Sequence, residues 1–376
     1  MCKQFAPHST TGGLSTILAV SILFASCFEA ALGQQNQFNN FTSVDVMKLS
    51  KDVVTNQPSA AEIGSIVDAL LALHSKYIAL SVPLDASTDY KSGKPAPQTA
   101  EAFTQTWADA IHSRNLKILW RGTWSGIEGL YGFSKLVGPN RFPAGSAATA
   151  AADGQTTWLG KTYSYIVSHP DYFLAGDIWA PLPERTENIF QDATSFLPYN
   201  GGVQNNYLSF FRDLATASKQ AFASINKEDV ITGWTANNFT EIKSGWLPQA
   251  LFNSAGTVAV DYYGTTHTAQ EMTTDLLNIY RVTGRQIFVQ EWSDYWDGNL
   301  SDSQRHAYLD SMYAAFTILA SQGVLVGFNY WGGWTGAAES ILDKTSSGYQ
   351  LNSRGLQLAE FFSVPKRSFR RFKPLK

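Results

Sequence analysis

Cysteine is nearly absent from this chain: two occur in 376 residues, Cys2 and Cys27, both close to the amino terminus. The segment that holds them carries Lys3, an apolar stretch from Leu14 to Ser26 and Ala31-Leu32-Gly33, followed by a Gln/Asn-rich run. That is the three-part layout of a secretory signal peptide. Cleavage after Gly33 removes both cysteines, which excludes disulfides and thiol catalysis from the mature protein. A secreted or extracytoplasmic protein is expected. Lipid attachment at Cys27 is the minor alternative, because Phe24 is a poor match to the aliphatic residue usual in that motif.

Other absences narrow the chemistry. There is no excess of positive charge, with 28 Lys and Arg against 31 Asp and Glu, so a nucleic-acid surface is not expected. The locally basic run 366–376 contains Pro374 and reads as a solvated tail. No apolar run is long enough to span a bilayer comfortably, and stable membrane insertion is not expected. The six histidines are scattered without metal-ligand spacing, and no Gly-x-Ser-x-Gly elbow or phosphate loop occurs. We expect no metal, no cofactor and a monomer.

What is present is regular. After the leader, short apolar strands alternate with longer amphipathic segments, the pattern of repeated βα units. Strands are predicted at Tyr77–Pro83, Leu116–Arg121, Tyr172–Trp179, Val230–Trp234, Thr257–Tyr262, Gln286–Glu291 and Val324–Trp331, with a weaker one between Phe41 and Leu49. Helices are predicted at Ala60–His74, Thr99–Ser113, Thr157–Ser168, Asn206–Ile225, Thr268–Thr283, Asp302–Gln322 and Ser353–Phe362. This order predicts an α/β protein, a single-domain (β/α)₈ TIM barrel over 34–365, preceded by the signal peptide 1–33. A doubly wound open sheet is the alternative, and it would be expected to carry a Gly-rich turn after its first strand. Insertions Ser125–Asp153 and Pro181–Asn205 follow strand ends, where they would shape a cleft.

Aromatics and carboxylates gather at the same predicted ends. Of eleven tryptophans, Trp120, Trp124, Trp179, Trp234, Trp292, Trp296, Trp331 and Trp334 lie at or just past a strand. Aromatic faces stack on pyranose rings, so a carbohydrate site is one reading; core filling is the other for any single ring. Glu291 ends the apolar strand Gln286-Ile287-Phe288-Val289-Gln290 and precedes Trp292. A carboxylate there is costly unless it is paired or reactive. Glycoside hydrolysis needs two carboxyls across the scissile bond, and Glu184, past the fourth strand in Ala180-Pro181-Leu182-Pro183, is the second candidate. Arg121 could orient Glu291, bind substrate, or pair with Asp85 or Asp177.

In strand order over nearly the whole mature chain, the sequence resembles the clan A retaining glycoside hydrolases. The residues that carry the likeness are Glu184, Asp261-Tyr262-Tyr263, Gln290-Glu291-Trp292 and Tyr330-Trp331. The resemblance implies a β-glycosidase acting with retention on an oligo- or polysaccharide, with Glu291 as nucleophile, Glu184 as acid/base, Tyr263 as hydrogen-bond partner of the nucleophile and Trp331 as the platform under the sugar. Pro183 stands where the family has Asn before the acid/base; Asn237, Asn238 or Asn329 could hold the sugar hydroxyl instead. Glu187 and Asp177 are rivals of Glu184, although Asp177 fits better as a structural carboxylate. Trp124, Trp179, Trp234 and Trp292 complete the expected substrate surface with Arg121 and Asn237. A related carbohydrate-binding barrel without paired carboxylates is the competing function, and an unrelated barrel enzyme the third.

Overall fold

A computed structural model describes residues 43–47, 58–83, 100–123, 158–181, 203–232, 234–238, 257–262, 268–293, 301–333 and 340–363. In chain order the elements are β1 Ser43–Met47, α1 Ala60–Leu71, β2 Tyr77–Pro83, α2 Ala100–His112, β3 Lys117–Thr123, α3 Trp158–Ser168, β4 Ile178–Ala180 and α4 Val203–Ser224. They continue as β5 Ile231–Thr232, β6 Trp234–Asn238, β7 Thr257–Asp261, α5 Ala269–Thr283, β8 Gln286–Trp292, α6 Asp302–Ser321, β9 Leu325–Tyr330, β10 Leu342–Thr345, β11 Gly348–Leu351 and α7 Ser353–Ser363.

Local sequence explains the helix boundaries. Ser59, Thr268 and Ser301 are N-caps, and each forms a reciprocal capping box with Glu62, Glu271 or Gln304 three residues on. Gly284 ends α5 in the left-handed region at φ 64, where a Cβ would be strained. One strand forecast fails. The run Tyr172–Trp179 begins with a 3₁₀ turn at Pro170–Tyr172, and Gly176 at φ 81 then breaks the extended chain, so β4 holds only Ile178–Ala180.

Strands β1 to β9 form one parallel sheet in the order β5-β4-β3-β2-β1-β9-β8-β7-β6. The two segments at its opposite ends, β5 and β6, are a single residue apart in the chain. Alternation sorts the strand side chains into two buried layers. The inner layer unites Tyr77, Ala79, Leu119, Ile178, Ala180, Ala259, Phe288 and Val326, all from strands. The larger outer layer joins Ile118, Trp120, Trp179, Val258, Ile287 and Val289 to helix residues such as Ile63, Trp107, Leu214 and Phe316. Burial of these large side chains is the main stabilising term, at roughly 1.5–3 kcal/mol for each fully buried Val, Leu, Ile or Phe.

The antiparallel pair β10–β11 was not anticipated from the sequence. It lies against α1: the Tyr349 amide donates to Ser65 Oγ at 2.9 Å, and Lys344 Nζ meets Glu62 Oε1 at 2.7 Å. Gly348 permits the approach, since a Cβ there would stand 2.2 Å from Ser65 Oγ. Among the described residues, no helix is long and apolar enough to cross a membrane.

Candidate active site

The site is built around a fault in β8. Ile287 and Val289 belong to the outer layer and Phe288 to the inner one, so strict alternation would send Glu291 outward toward the helices. It does not. Val260 pairs with Val289, yet the next residue of β7, Asp261, pairs with Glu291. On the other side, Val289 pairs with Phe328 and Trp292 with Tyr330. Both neighbours therefore count one extra residue in β8, a bulge at Gln290 that reverses the phase beyond it.

Two side chains record the reversal. Trp292 is fully buried in the outer layer, edge-on to Tyr313 and Phe316 of α6 and to Phe328 and Tyr330 of β9. Glu291 turns the opposite way and forms an ion pair with Arg121. Arg121 is in phase with the inner residue Leu119, while Trp120 between them packs outward on Tyr172 and Phe173. Both partners of the pair are 2 % exposed. Since β2, β1 and β9 stand between β3 and β8 in the sheet, the ion pair crosses its inner face.

The main chain here is held closely. Three consecutive carbonyls accept hydrogen bonds: Gln290 O from Asn329 Nδ2, Glu291 O from the Tyr262 amide and Trp292 O from the Trp331 amide, each at 2.9 Å. Asn329 and Gln290 are fully buried. Tyr262 turns to the helix side, its hydroxyl donating to Asp275 of α5 at 3.4 Å, and burial followed by the Asp275 carboxylate pushes the phenol up.

Other candidates fall elsewhere. Trp179 is buried in the outer layer, donating from Nε1 to Ser218 Oγ of α4 at 3.1 Å; neither it nor Trp292 turns over the strand ends, because both occupy outer-facing positions. Trp234 opens β6 instead of ending a strand, since the chain stays extended to Asn238; Asn237 and Asn238 pair in register with Val260 and Asp261. Trp331 follows β9 directly and is 6 % exposed. Asp177 lies at the amino end of β4, accepting from the Ile118 amide, Trp120 Nε1 and the Leu174 amide at 3.0 Å each and facing His112 Nε2 at 3.1 Å. It is not brought to Glu291. Glu184, Glu187, Asp85, Trp124, Tyr263, Trp296 and Trp334 lie outside the described residues.

Sequence reasoning left the partner of Arg121 open and missed the bulge and the role of Asn329 in it. The available signal was polarity: Gln290 and Asn329 interrupt otherwise apolar strand runs. Among the described residues, no cluster of three or more His, Cys, Asp or Glu is arranged to hold a metal ion.

No protein-family model matches the chain, and no curated protein matches it by sequence. Solved structures do match in fold. A fungal β-1,4-galactanase has a TM-score of 0.55 at 14% identity, covering 86% of this chain and 99% of its own. The family 1 β-glucosidase of Thermotoga maritima has a TM-score of 0.51 at 12% identity, over 80% and 86%. A broad-specificity endoglucanase of subfamily GH5-4 from an uncultured bacterium has a TM-score of 0.53 at 10% identity, over 89% and 96%. These neighbours are clan A glycoside hydrolases, and the chain is similar to them in its α/β fold.

Proposed function

We propose that this protein is a secreted retaining β-glycosidase. The observation that carries the reading is Glu291, buried at the carboxyl end of β8 and turned onto Arg121, in a fold like that of clan A enzymes. Active sites of barrel enzymes lie at the carboxyl ends of the strands. In this reading β5 and β6, one residue apart in the chain and at the two ends of the sheet, close it into a barrel.

In the first step Glu184 protonates the leaving oxygen while the Glu291 carboxylate attacks the anomeric carbon, breaking the glycosidic bond and forming a glycosyl ester. In the second, Glu184 takes a proton from water, which attacks the same carbon and frees Glu291. Arg121 balances the charge of Glu291 and fixes its orientation. Trp331 supplies the platform for the sugar, with Tyr263, Trp124 and Asn237 completing the contacts.

Hydrolysis of a panel of β-linked oligosaccharides and aryl glycosides, followed by NMR of the first-formed anomer, tests this. Retained configuration and loss of turnover by at least about a thousandfold in Glu291→Gln are expected. Turnover of Glu291→Gln within about tenfold of the parent removes Glu291 from the mechanism. Sugar binding without any turnover by the parent protein favours the non-catalytic barrel.

A further inference from the structure

Asn329 faces the point where β8 gains its extra residue. It stands between Phe328 and Tyr330, register partners of Val289 and Trp292, so it is opposite the doubled step that contains Gln290 and Glu291. From there its amide donates to the Gln290 carbonyl. A bulge takes a residue out of the regular ladder, and a buried carbonyl that loses its ladder partner needs another donor. Bulges are rare in parallel sheets and concentrate beside active sites, where they re-aim a side chain.

The alternative register is easy to state. Without the bulge, Trp292 would point to the inner face and Glu291 would enter the aromatic layer with Tyr313 and Phe316, a carboxylate among rings. Packing of Trp292 and the Asn329 hydrogen bond oppose that slip from opposite faces of the strand.

We propose that Asn329 is a positioning residue for Glu291: by holding the Gln290 carbonyl it keeps the bulge, and the bulge is what presents the carboxylate to Arg121 and to substrate. The role in catalysis rests on the glycosidase reading above; the role in geometry does not.

The test uses Asn329→Asp, which keeps the shape but cannot donate when ionised, and Asn329→Ser, which is uncharged and too short. Both are expected to lower kcat at least about thirtyfold with KM within about twofold, and to slow covalent labelling of Glu291 by a 2-deoxy-2-fluoro glycoside in parallel. Crystal structures of the variants are expected to pair Asp261 with Gln290 instead of Glu291. Unchanged kcat with the bulge intact overturns the proposal. So does failure of both variants to fold, which would make Asn329 a determinant of folding alone. If the parent cleaves no glycoside yet the variants lose the bulge, the positioning stands and the glycosidase reading falls.

Discussion

The two ends of the parallel strands each bury a carboxylate, and the two are held in opposite ways. At the amino end, Asp177 is surrounded by two backbone amides, an indole N–H and His112, all donors set in fixed positions by β3, α2 and the turn before β4. At the carboxyl end, Glu291 faces a guanidinium on a long side chain and owes its direction to a bulge. The first arrangement ties strands together. The second delivers a charge to a chosen face. Burial alone does not separate the two carboxylates; the kind of donor and the end of the strand do.

Exchanging each carboxylate for its amide is the strongest way to break this contrast. Glu291→Gln should remove at least about a thousandfold of kcat. Asp177→Asn should leave kcat per folded molecule within about threefold but destabilise the fold by about 2–4 kcal/mol, because an amide NH₂ would confront the Ile118 or Trp120 N–H. Denaturant titration beside active-site-normalised kinetics reads both. Equal losses of activity in the two variants would erase the distinction.

A second variant pair sharpens it within the carboxyl half. Trp292→Ala should cost about 3–5 kcal/mol of stability, since it empties a site bounded by five aromatic rings. Trp331→Ala should instead weaken sugar binding by about 1–3 kcal/mol, measured by calorimetry in the Glu291→Gln background. Unfolding curves that rank the two the other way would reverse the assigned faces.

The smallest expected effect lies on the surface. The Lys344 ammonium, then the Ser59 amide, hold the Glu62 carboxyl at about 2, below its ordinary 4.5. A depressed carboxylate contributes stability that is present above about pH 4.5 and is lost as pH falls toward about 2. The pair is solvent-exposed, so Glu62→Gln should flatten acid unfolding by no more than about 1 kcal/mol. A steeper change would mean that surface pairing matters here as much as the buried one.

The legibility of the chain follows the range of the forces involved. Capping boxes are local, and the helix starts forecast at Ala60, Thr268 and Asp302 lie within one residue of the observed starts of α1, α5 and α6. Glu291 was readable as the polar end of an apolar strand. The shortness of β4 was not, because Tyr172 and Phe173 are apolar for the sake of the outer layer and not for a strand. Nor was the bulge, which exists only as a mismatch with two strands distant in sequence. Trp292 was misplaced for the same reason, since period two assigns faces only after every extra residue has been counted, whereas Trp179 sits in regular register at an outward position of a strand that runs on to Ala180.

The β10–β11 hairpin has a kinetic consequence. Its bonds to α1 join positions 282 and 284 apart in the chain, so their loop can close cheaply only after the intervening strands are ordered. That seam is therefore expected to be a late clasp, fastening after the sheet it leans on. Gly348 is the tooth on which it catches: a Cβ there would stand 2.2 Å from Ser65 Oγ, so a side chain would force the serine or the hairpin to shift.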